Sequence, residues 1–357
     1  MIPLSLNAVS DARAPFISRL TRGEVQSDWD SRCISVSADS SVWCGDNGLF
    51  ELSQGGENLA GDIILIDPHS GRADRLIRSG SPHNTLLVTE QCDQLCVMCS
   101  QPPKKSHNDR FALLTQACLL APDGMTIGIS GGEPTLHMEP LLTMVETVLA
   151  NRSDLSFHIL TNAQHFEPEH ILRLQKPDFR RLVWGIPLYS ADPVVHDMIV
   201  AKPGAFERLV ISFERLLMAG ARIELRTVLT ATNFAALAQL SRFVVQNLPH
   251  IEQWSLMGLE NIGFARNKWS DLYVDIAADF GPLAAAIDRA QLHGIAARLF
   301  NIPLCHVPTG YRSSAVASIS DWKQRFGASC EPCRAKADCS GFFEWHPDEL
   351  VEKVTPL

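Results

Sequence analysis

No apolar run in the 357-residue chain reaches the length of a membrane span. No long basic run is present either, and the formal charge is −9, which argues against nucleic acid as the main partner. The opening residues Met1-Ile2-Pro3-Leu4-Ser5-Leu6 lack a basic stretch ahead of an apolar one, so a secretory signal is not expected. Cysteine is neither rare nor spread as a disulfide framework would be. Ten cysteines occur, most of them clustered at ligand spacings, which points to metal binding in a reducing compartment and a cytoplasmic location. A hydrophobic content of 46% with 20% charged residues is an ordinary globular balance, and the length allows two or three domains.

Three cysteines stand together in Cys92-Asp93-Gln94-Leu95-Cys96-Val97-Met98-Cys99. Three thiolates on one short loop can hold three irons of a [4Fe–4S] cube and leave the fourth open to a substrate or cofactor, whereas an electron-carrying cluster normally has four thiolates. The same three residues could also supply part of a structural zinc site. Thr126-Ile127-Gly128-Ile129-Ser130 reads as a strand ending in Gly131-Gly132-Glu133-Pro134. Two glycines let backbone approach a ligand closely, and Gly132 is expected to make room for a ligand's amino group. The carboxylate of Glu133 and nearby carbonyls suit an ammonium.

Of the other cysteines, Cys118 sits in an apolar helical run and reads as a buried thiol. Cys33 and Cys44 read as structural. Cys305, Cys330, Cys333 and Cys339 make a second set near the C-terminus. Four thiolates suffice for a complete [4Fe–4S] cluster or for an all-thiolate zinc site, and ligand count does not separate the two.

Residues 1–84 are rich in short β-type runs: Cys33 to Ser37, Ser41 to Cys44, Gly61 to Ile66, and an alternating stretch Arg72 to Arg78 after the turn Asp67-Pro68-His69-Ser70-Gly71. This N-terminal domain is expected either to bind peptide or a partner, with the strands flanking that turn, Ile63 to Ile66 and Leu76-Ile77, offering edges to an extended chain, or to be a simple flank of the domain that follows. From Thr85 the pattern becomes strands alternating with helices. Strands are expected at 85–89, 126–130, 156–160, 182–188, 222–229 and 251–259. Helices are expected over 110–120, 139–150 and 206–219, and Thr230-Ala231-Thr232-Asn233 reads as a helix cap. Asn301 to Cys305 reads as one more strand. Such alternation predicts a parallel sheet with crossover helices, hence an α/β fold.

The Cys-x3-Cys-x2-Cys loop and the Gly-Gly-Glu-Pro turn together resemble the radical S-adenosylmethionine (SAM) superfamily. The resemblance implies a partial (β/α)6 barrel over residues 85–270, with functional residues at the C-terminal strand ends. It implies that Cys92, Cys96 and Cys99 hold a [4Fe–4S] cluster whose open iron chelates SAM. It further implies SAM contacts from Met98, Gly131, Gly132, Glu133, Pro134, Thr161, Asn162, Ser190 and Arg226. Taken alone, Thr161-Asn162 is a turn signal, Ser190 a loop residue and Arg226 a salt-bridge candidate. His196-Asp197 with Gly204 and Phe206 is similar to a stretch of peptide-modifying members and reads as structural.

Residues 271–357 resemble a twitch or SPASM extension, with Cys305, Cys330, Cys333 and Cys339 as ligands of one auxiliary [4Fe–4S] cluster. The whole chain is similar to the HxsC-type maturase of the His-Xaa-Ser repeat peptide system. By that resemblance the chain cleaves SAM reductively to a 5′-deoxyadenosyl radical and modifies a ribosomally made precursor peptide by hydrogen abstraction, as a crosslink or other oxidation. A second radical SAM protein or small accessory protein, and a reductant such as flavodoxin or ferredoxin, are the implied partners; nucleic acid and membrane are not. Two alternatives remain at this point: a radical SAM reaction on a small molecule or RNA, and a non-catalytic metal-binding partner protein.

Overall fold

The computed structural model describes residues 2–55 and 58–357. The chain divides into two compact units. One comprises residues 1–89, 108–130 and 137–158; the other comprises 90–107, 131–136 and 159–357.

In the first unit, β1 (Ser5–Ser10), β2 (Phe16–Thr21), β3 (Asp30–Val36), β4 (Ser41–Gly45), β5 (Gly48–Leu52), β6 (Ile63–Asp67) and β7 (Arg72–Ile77) close into a barrel in the order β1-β5-β4-β3-β2-β6-β7. Closure falls on β1, which pairs antiparallel with β7 over Ser5 to Asn7 and with β5 over Ala8 to Ser10. β2 and β3 run parallel, while the other neighbours are antiparallel. Alternation dictates the filling: Leu6 and Ala8 of β1, Phe50 and Leu52 of β5, and Ile64 and Ile66 of β6 point into a core with Phe16, Leu20 and Trp43. A buried ion pair links Arg75 of β7 to Asp62, with Nη2 to Oδ2 at 2.6 Å.

The turn after β6 forms as its residues require. The Asp67 carboxylate accepts from His69 N at 3.0 Å and Ser70 Oγ at 2.8 Å, and Gly71 takes a φ of 66°. The flanking strands, however, are not edges. β6 is paired to β2 and β7, and β7 to β6 and β1, so a peptide cannot be added to either.

The rest of this unit carries β8 (Asn84–Thr89), α1 (Phe111–Leu119), β9 (Thr126–Gly131), α2 (Met138–Asn151) and the start of β10 (Ser156–Leu160). Helix α1 covers the outer side of β2 and β6 and buries the Cys118 thiol completely.

The second unit continues with α3 (Ile171–Leu174), β11 (Leu182–Pro187), α4 (Pro193–Val200), α5 (Ala205–Ala219), β12 (Arg222–Val228), α6 (Ala231–Phe234), α7 (Leu237–Asn247), β13 (Gln253–Met257), α8 (Trp269–Leu272), α9 (Gly281–Leu292) and β14 (Ala296–Phe300). β11 to β14 are parallel neighbours in chain order, with Pro187, Arg226, Ser255 and Arg298 on one rung. Thr230 and Asn233 form the expected capping box at α6, with Thr230 N donating to Asn233 Oδ1 at 2.9 Å. The extension holds only β15 (Gln324–Arg325), β16 (Phe342–Phe343) and α10 (Asp348–Val351) as further regular elements.

The strands expected from Thr85 to Leu259 stand as β8 to β13, within two residues at each end. The strand expected over Asn301 to Cys305 does not form. The chain pairs earlier, as β14, and turns at Asn301, which adopts a left-handed φ of 59°. A 3-10 turn over Leu304–His306 then follows.

Candidate functional site

The three-cysteine loop leaves β8 and is pinned along its length by backbone bonds. Leu95 N and Val97 N donate to the carbonyls of Val200 and Ile199 at the end of α4, at 3.2 and 2.9 Å. Cys99 N closes a turn on Cys96 O at 3.0 Å, and Phe264 N donates to Cys99 O at 2.9 Å. Gly263 beside that bond has a φ of 59°, and a Cβ there would meet the Cys99 and Ser100 carbonyls, so glycine is required. Met98 turns inward and packs with Tyr189, Ile199, Val200 and Leu259 as an apolar floor, touched also by Cys96.

All three thiols lie within electrostatic reach of one another. Burial first, then the charges of Cys99 and Cys92, push Cys96 up to about 12. Burial pushes Cys92 up to about 11, reinforced by Glu133, Asp93 and Cys99. Burial also raises Cys99. Metal binding would take the protons' place on these thiols and offset the repulsion between their charges.

Asp93 anchors the loop from within. Its carboxylate accepts from Asn162 Nδ2 at 2.7 Å, from His165 Nε2 at 3.1 Å and from the Lys202 ammonium. Burial opposes its ionisation, yet these donors hold the carboxyl well below the usual carboxylate range. Asn162, from the segment after β10, also reaches the Cys92 sulfur at 4.0 Å.

The Gly-Gly-Glu-Pro turn is folded flush against this loop. Gly131 has a φ of 152°. A Cβ on Gly132 would collide with the Gln91 carbonyl and crowd Cys92 N. Space at Gly132 is therefore taken by the chain's own cysteine loop, and not by a ligand's amino group as the sequence led us to expect. Glu133 N completes the junction on Gln91 O at 2.7 Å. The Glu133 side chain is fully buried. Its carboxylate accepts from Thr135 N (2.8 Å), Thr135 Oγ1 (2.5 Å), Thr161 Oγ1 (2.6 Å) and Asn162 N (2.5 Å). Burial raises its carboxyl against the pull of these donors. Glu133 thus ties the turn to the end of β10.

The other expected contacts fall in the same unit. Thr161 Oγ1 is engaged by Glu133 and by Ala163 N at 3.0 Å. Ser190 Oγ accepts from Asp192 N at 3.0 Å and is buried. Pro134 is buried beside Thr135. Arg226 Nη1 donates to both Glu224 oxygens at 2.9 and 3.1 Å, with Ser255 as a further donor to Glu224. His196 is buried, stacked on Tyr189 with ring centroids 5.8 Å apart, and burial pulls it down to about 4. Asp197 accepts from Gly204 N at 2.5 Å and Phe206 N at 2.8 Å, fixing the start of α5, so this stretch is structural.

Sequence reading missed Asp93, His165, Lys202, Tyr189 and Glu224. Asp93 stood between two of the expected ligand cysteines and could have been suspected. Its partners Asn162, His165 and Lys202 are far off in the chain, and only folding brings them together. Tyr189 sits at the end of β11 next to the expected Ser190, and its ring lies in the floor under Met98.

The C-terminal thiols converge too. Burial pushes Cys305 up to about 11, followed by the charges of Cys339, Cys330 and Cys333. Leu304 N and Gly341 N both donate to the Cys339 sulfur, at 3.3 and 3.4 Å. Cys333 N closes a turn on Cys330 O at 3.1 Å. All four line one pocket with Leu304, Phe326 and Phe342. Among the described residues, no group of three or more His, Cys, Asp or Glu side chains is drawn tightly enough to hold a single metal ion.

No helix among the described residues is long and apolar enough to cross a membrane. No family model and no curated protein matches the chain. Among solved structures, the chain is similar to Streptococcus suis SuiB bound to S-adenosylmethionine, at 17% identity and a TM-score of 0.48, over 60% of this chain and 49% of that one. It is also similar to anSMEcpe with bound AdoMet, at 14% identity and 0.37, over 49% of each chain. A domain of pyruvate-formate lyase-activating enzyme from Bacteroides vulgatus is similar at 17% identity and 0.38, over 48% of this chain and 96% of that one. The chain thus spans about half the length of the SuiB and anSMEcpe chains.

Proposed function

We propose that this chain is a radical SAM enzyme that modifies a ribosomally made peptide by oxidation. The observation that carries the reading is the junction of two motifs: three thiols on one loop pinned by backbone bonds, with the Gly-Gly-Glu-Pro turn folded onto its base. Cys92, Cys96 and Cys99 fit a four-iron cluster, since in a cube each thiolate takes its own iron and one iron stays open. When bound, such a cluster supplies the electron that splits SAM into methionine and a 5′-deoxyadenosyl radical able to take a hydrogen atom from substrate.

The chain's own residues do the holding. Asp93, with Asn162, His165 and Lys202, fixes the loop that presents the thiols. Met98, Tyr189 and Leu259 form a dry floor beneath it. Gly131 to Pro134, Thr161, Asn162, Ser190 and Arg226 gather in the same unit, and there we place the cofactor-binding set.

Cys305, Cys330, Cys333 and Cys339 would hold a second cluster. A zinc ion needs all four sulfurs at about 2.3 Å from one point. The four thiols stand on the walls of one pocket rather than around one shared point, an arrangement that suits a cluster in which each thiolate takes its own iron. Such an auxiliary cluster gives an oxidation an electron acceptor, which favours the peptide-oxidising reading.

The test is anaerobic reconstitution followed by dithionite and SAM. About eight irons per chain and release of 5′-deoxyadenosine are expected. Intact four-iron loading with no 5′-deoxyadenosine would overturn the enzymatic reading. Four irons and one zinc would overturn the auxiliary cluster.

A further inference from the structure

Residues 258–265 follow β13 without a helix or strand of their own. Their last part fixes one end of the first cysteine loop. Phe264 N donates to Cys99 O at 2.9 Å, a Cβ on Gly263 would meet the same carbonyl, and Ala265 is buried in the floor with Met98. Asp93 and the end of α4 hold the loop as far as Val97, while its Cys99 end rests on this segment.

The middle of the segment is tied to the extension. Both carboxylate oxygens of Glu260 accept from Lys323 Nζ at 3.3 Å, and the two side chains are only 19% and 23% exposed. Next to this pair, Asn261 Nδ2 donates to Trp345 O at 3.3 Å. Lys323 is itself held in place. Its ammonium stands 4.9 Å from the centre of the Phe343 ring and 5.5 Å from that of Trp322. Glu344 N donates to the Lys323 carbonyl at 2.8 Å, beside the β15–β16 pair. Phe342 of β16 packs with Cys330. Contact therefore runs from the four-thiol site to Cys99 by way of the Lys323–Glu260 pair.

Burial raises the Glu260 carboxyl, and Lys323 opposes the rise. A carboxylate so far withdrawn from water keeps its charge and its place because an ammonium meets it. Without that partner Glu260 must take up a proton or turn toward solvent. Turning would pull on Gly263 and Phe264, a few residues further along the chain.

We propose that Lys323 is a positioning residue of the three-thiol centre: from the extension it holds Glu260, and with it the segment on which Cys99 rests. The proposal rests on the reading of Cys92, Cys96 and Cys99 as cluster ligands, and it assigns them a support far off in the chain.

The experiment uses the full, anaerobically reconstituted chain, with amide exchange at Phe264 and electron paramagnetic resonance of the three-thiol cluster as readouts. That cluster's signal is the one missing when Cys92, Cys96 and Cys99 are all replaced by alanine. Lys323→Met should speed exchange at Phe264 about tenfold, the worth of one hydrogen bond, and shift the line shape of the signal. Lys323→Gln, a second neutral replacement, should do the same, and Lys323→Arg, which keeps the charge, should leave both readouts near those of the unaltered chain. Adding Glu260→Gln to Lys323→Met should recover most of the protection and the line shape, because an amide carries no charge to water. Unchanged exchange in Lys323→Met and Lys323→Gln overturns the proposal. So does a double variant as impaired as Lys323→Met alone, which would give the lysine a packing role. Release of 5′-deoxyadenosine is measured on the unaltered chain alongside. Its absence, with the exchange pattern as expected, sinks the enzymatic reading and leaves the role of Lys323 standing.

Discussion

The N-terminal barrel and the C-terminal extension are both built from short strands, but they close in different ways. The barrel joins its first strand to its last, so every strand has two hydrogen-bonded neighbours. Its core draws on Leu6, Phe16, Leu20, Trp43, Phe50, Leu52, Ile64 and Ile66. Around the four thiols, the extension pairs two residues with two, Gln324 with Phe343 and Arg325 with Phe342. Its apolar cluster is Cys330, Phe342 and Val351, with Phe326 and Val354 half-buried around it. Around the four thiols, the buried apolar side chains are few beside those of the barrel. A pocket lined by the four thiols lies beside that cluster. The barrel is a structure made by apolar burial, and on the proposed reading the region around the four thiols is completed by metal, as in small metal-dependent domains.

The strongest way to break this comparison is to remove the metal from one region alone. Cys330→Ser combined with Cys333→Ser should lower iron from about eight to about four per chain. It should also open residues 320–357 to limited proteolysis, while amide exchange in β1 to β7 stays slow. An extension that remains protease-resistant with four irons gone would show that it folds without the metal.

Gly132→Val tests the other centre. The new side chain must displace the Gln91 carbonyl, which is backbone and cannot swing aside. The cysteine loop would move with it. Four irons should be lost from the first centre, with the second retained. An iron-replete variant with impaired SAM binding only would restore the view that Gly132 clears room for the ligand.

How much of this could be read from residue order follows from where each signal lies. Strands β8 to β13 show as apolar runs bounded by turn residues, and the capping residues of α6 are adjacent in the chain, so both were legible. The strand expected at Asn301 failed because an apolar run followed by Pro303 was read without the left-handed turn at Asn301. Closure of the barrel was hidden, since no local pattern tells β1 that its partners are β5 and β7. In the candidate site, the three clustered cysteines and the two glycines are close in the chain and were visible. Glu133 was visible as a carboxylate, but its donors, Thr135, Thr161 and Asn162, lie mostly beyond a turn's reach.

Arg75→Met sharpens the barrel's side of the comparison. Arg75 Nε and Nη2 meet Asp62, and the guanidinium also donates to the Pro3 and Asn58 carbonyls at 3.1 and 2.8 Å. Removing one partner of a buried pair costs about 3–5 kcal/mol. Iron content should not change. Burial already raises the Asp62 carboxyl, with Arg75 opposing it, and the variant loses that opposition. A folded carboxyl raised above its unfolded value destabilises the fold as pH climbs. The deficit should therefore grow from about pH 4, the ordinary carboxylate value, toward neutrality. A deficit that is flat with pH would place the cost in lost packing instead.

The mildest change bears on whether the first cysteine loop resembles the barrel or the extension. Its backbone bonds to Val200 and Ile199, and the three donors on Asp93, are made by protein alone. The loop should accordingly keep its shape when iron is chelated, unlike the extension. Asp93→Ala removes the anchor without touching a thiol. Hydrogen bonds to a charged group contribute about 1.5–3 kcal/mol each, less the cost of freeing Lys202 and His165 to solvent. Iron should still load at about four per cluster. The first cluster should then be lost faster to air or chelator, and amide exchange at Leu95 and Val97 should rise in the iron-free protein. Asp93→Asn, which keeps the shape and loses the charge, should fall between. If chelation alone melts the loop to the same degree in both variants and the unaltered chain, then metal builds this region as well, and the contrast with the extension disappears.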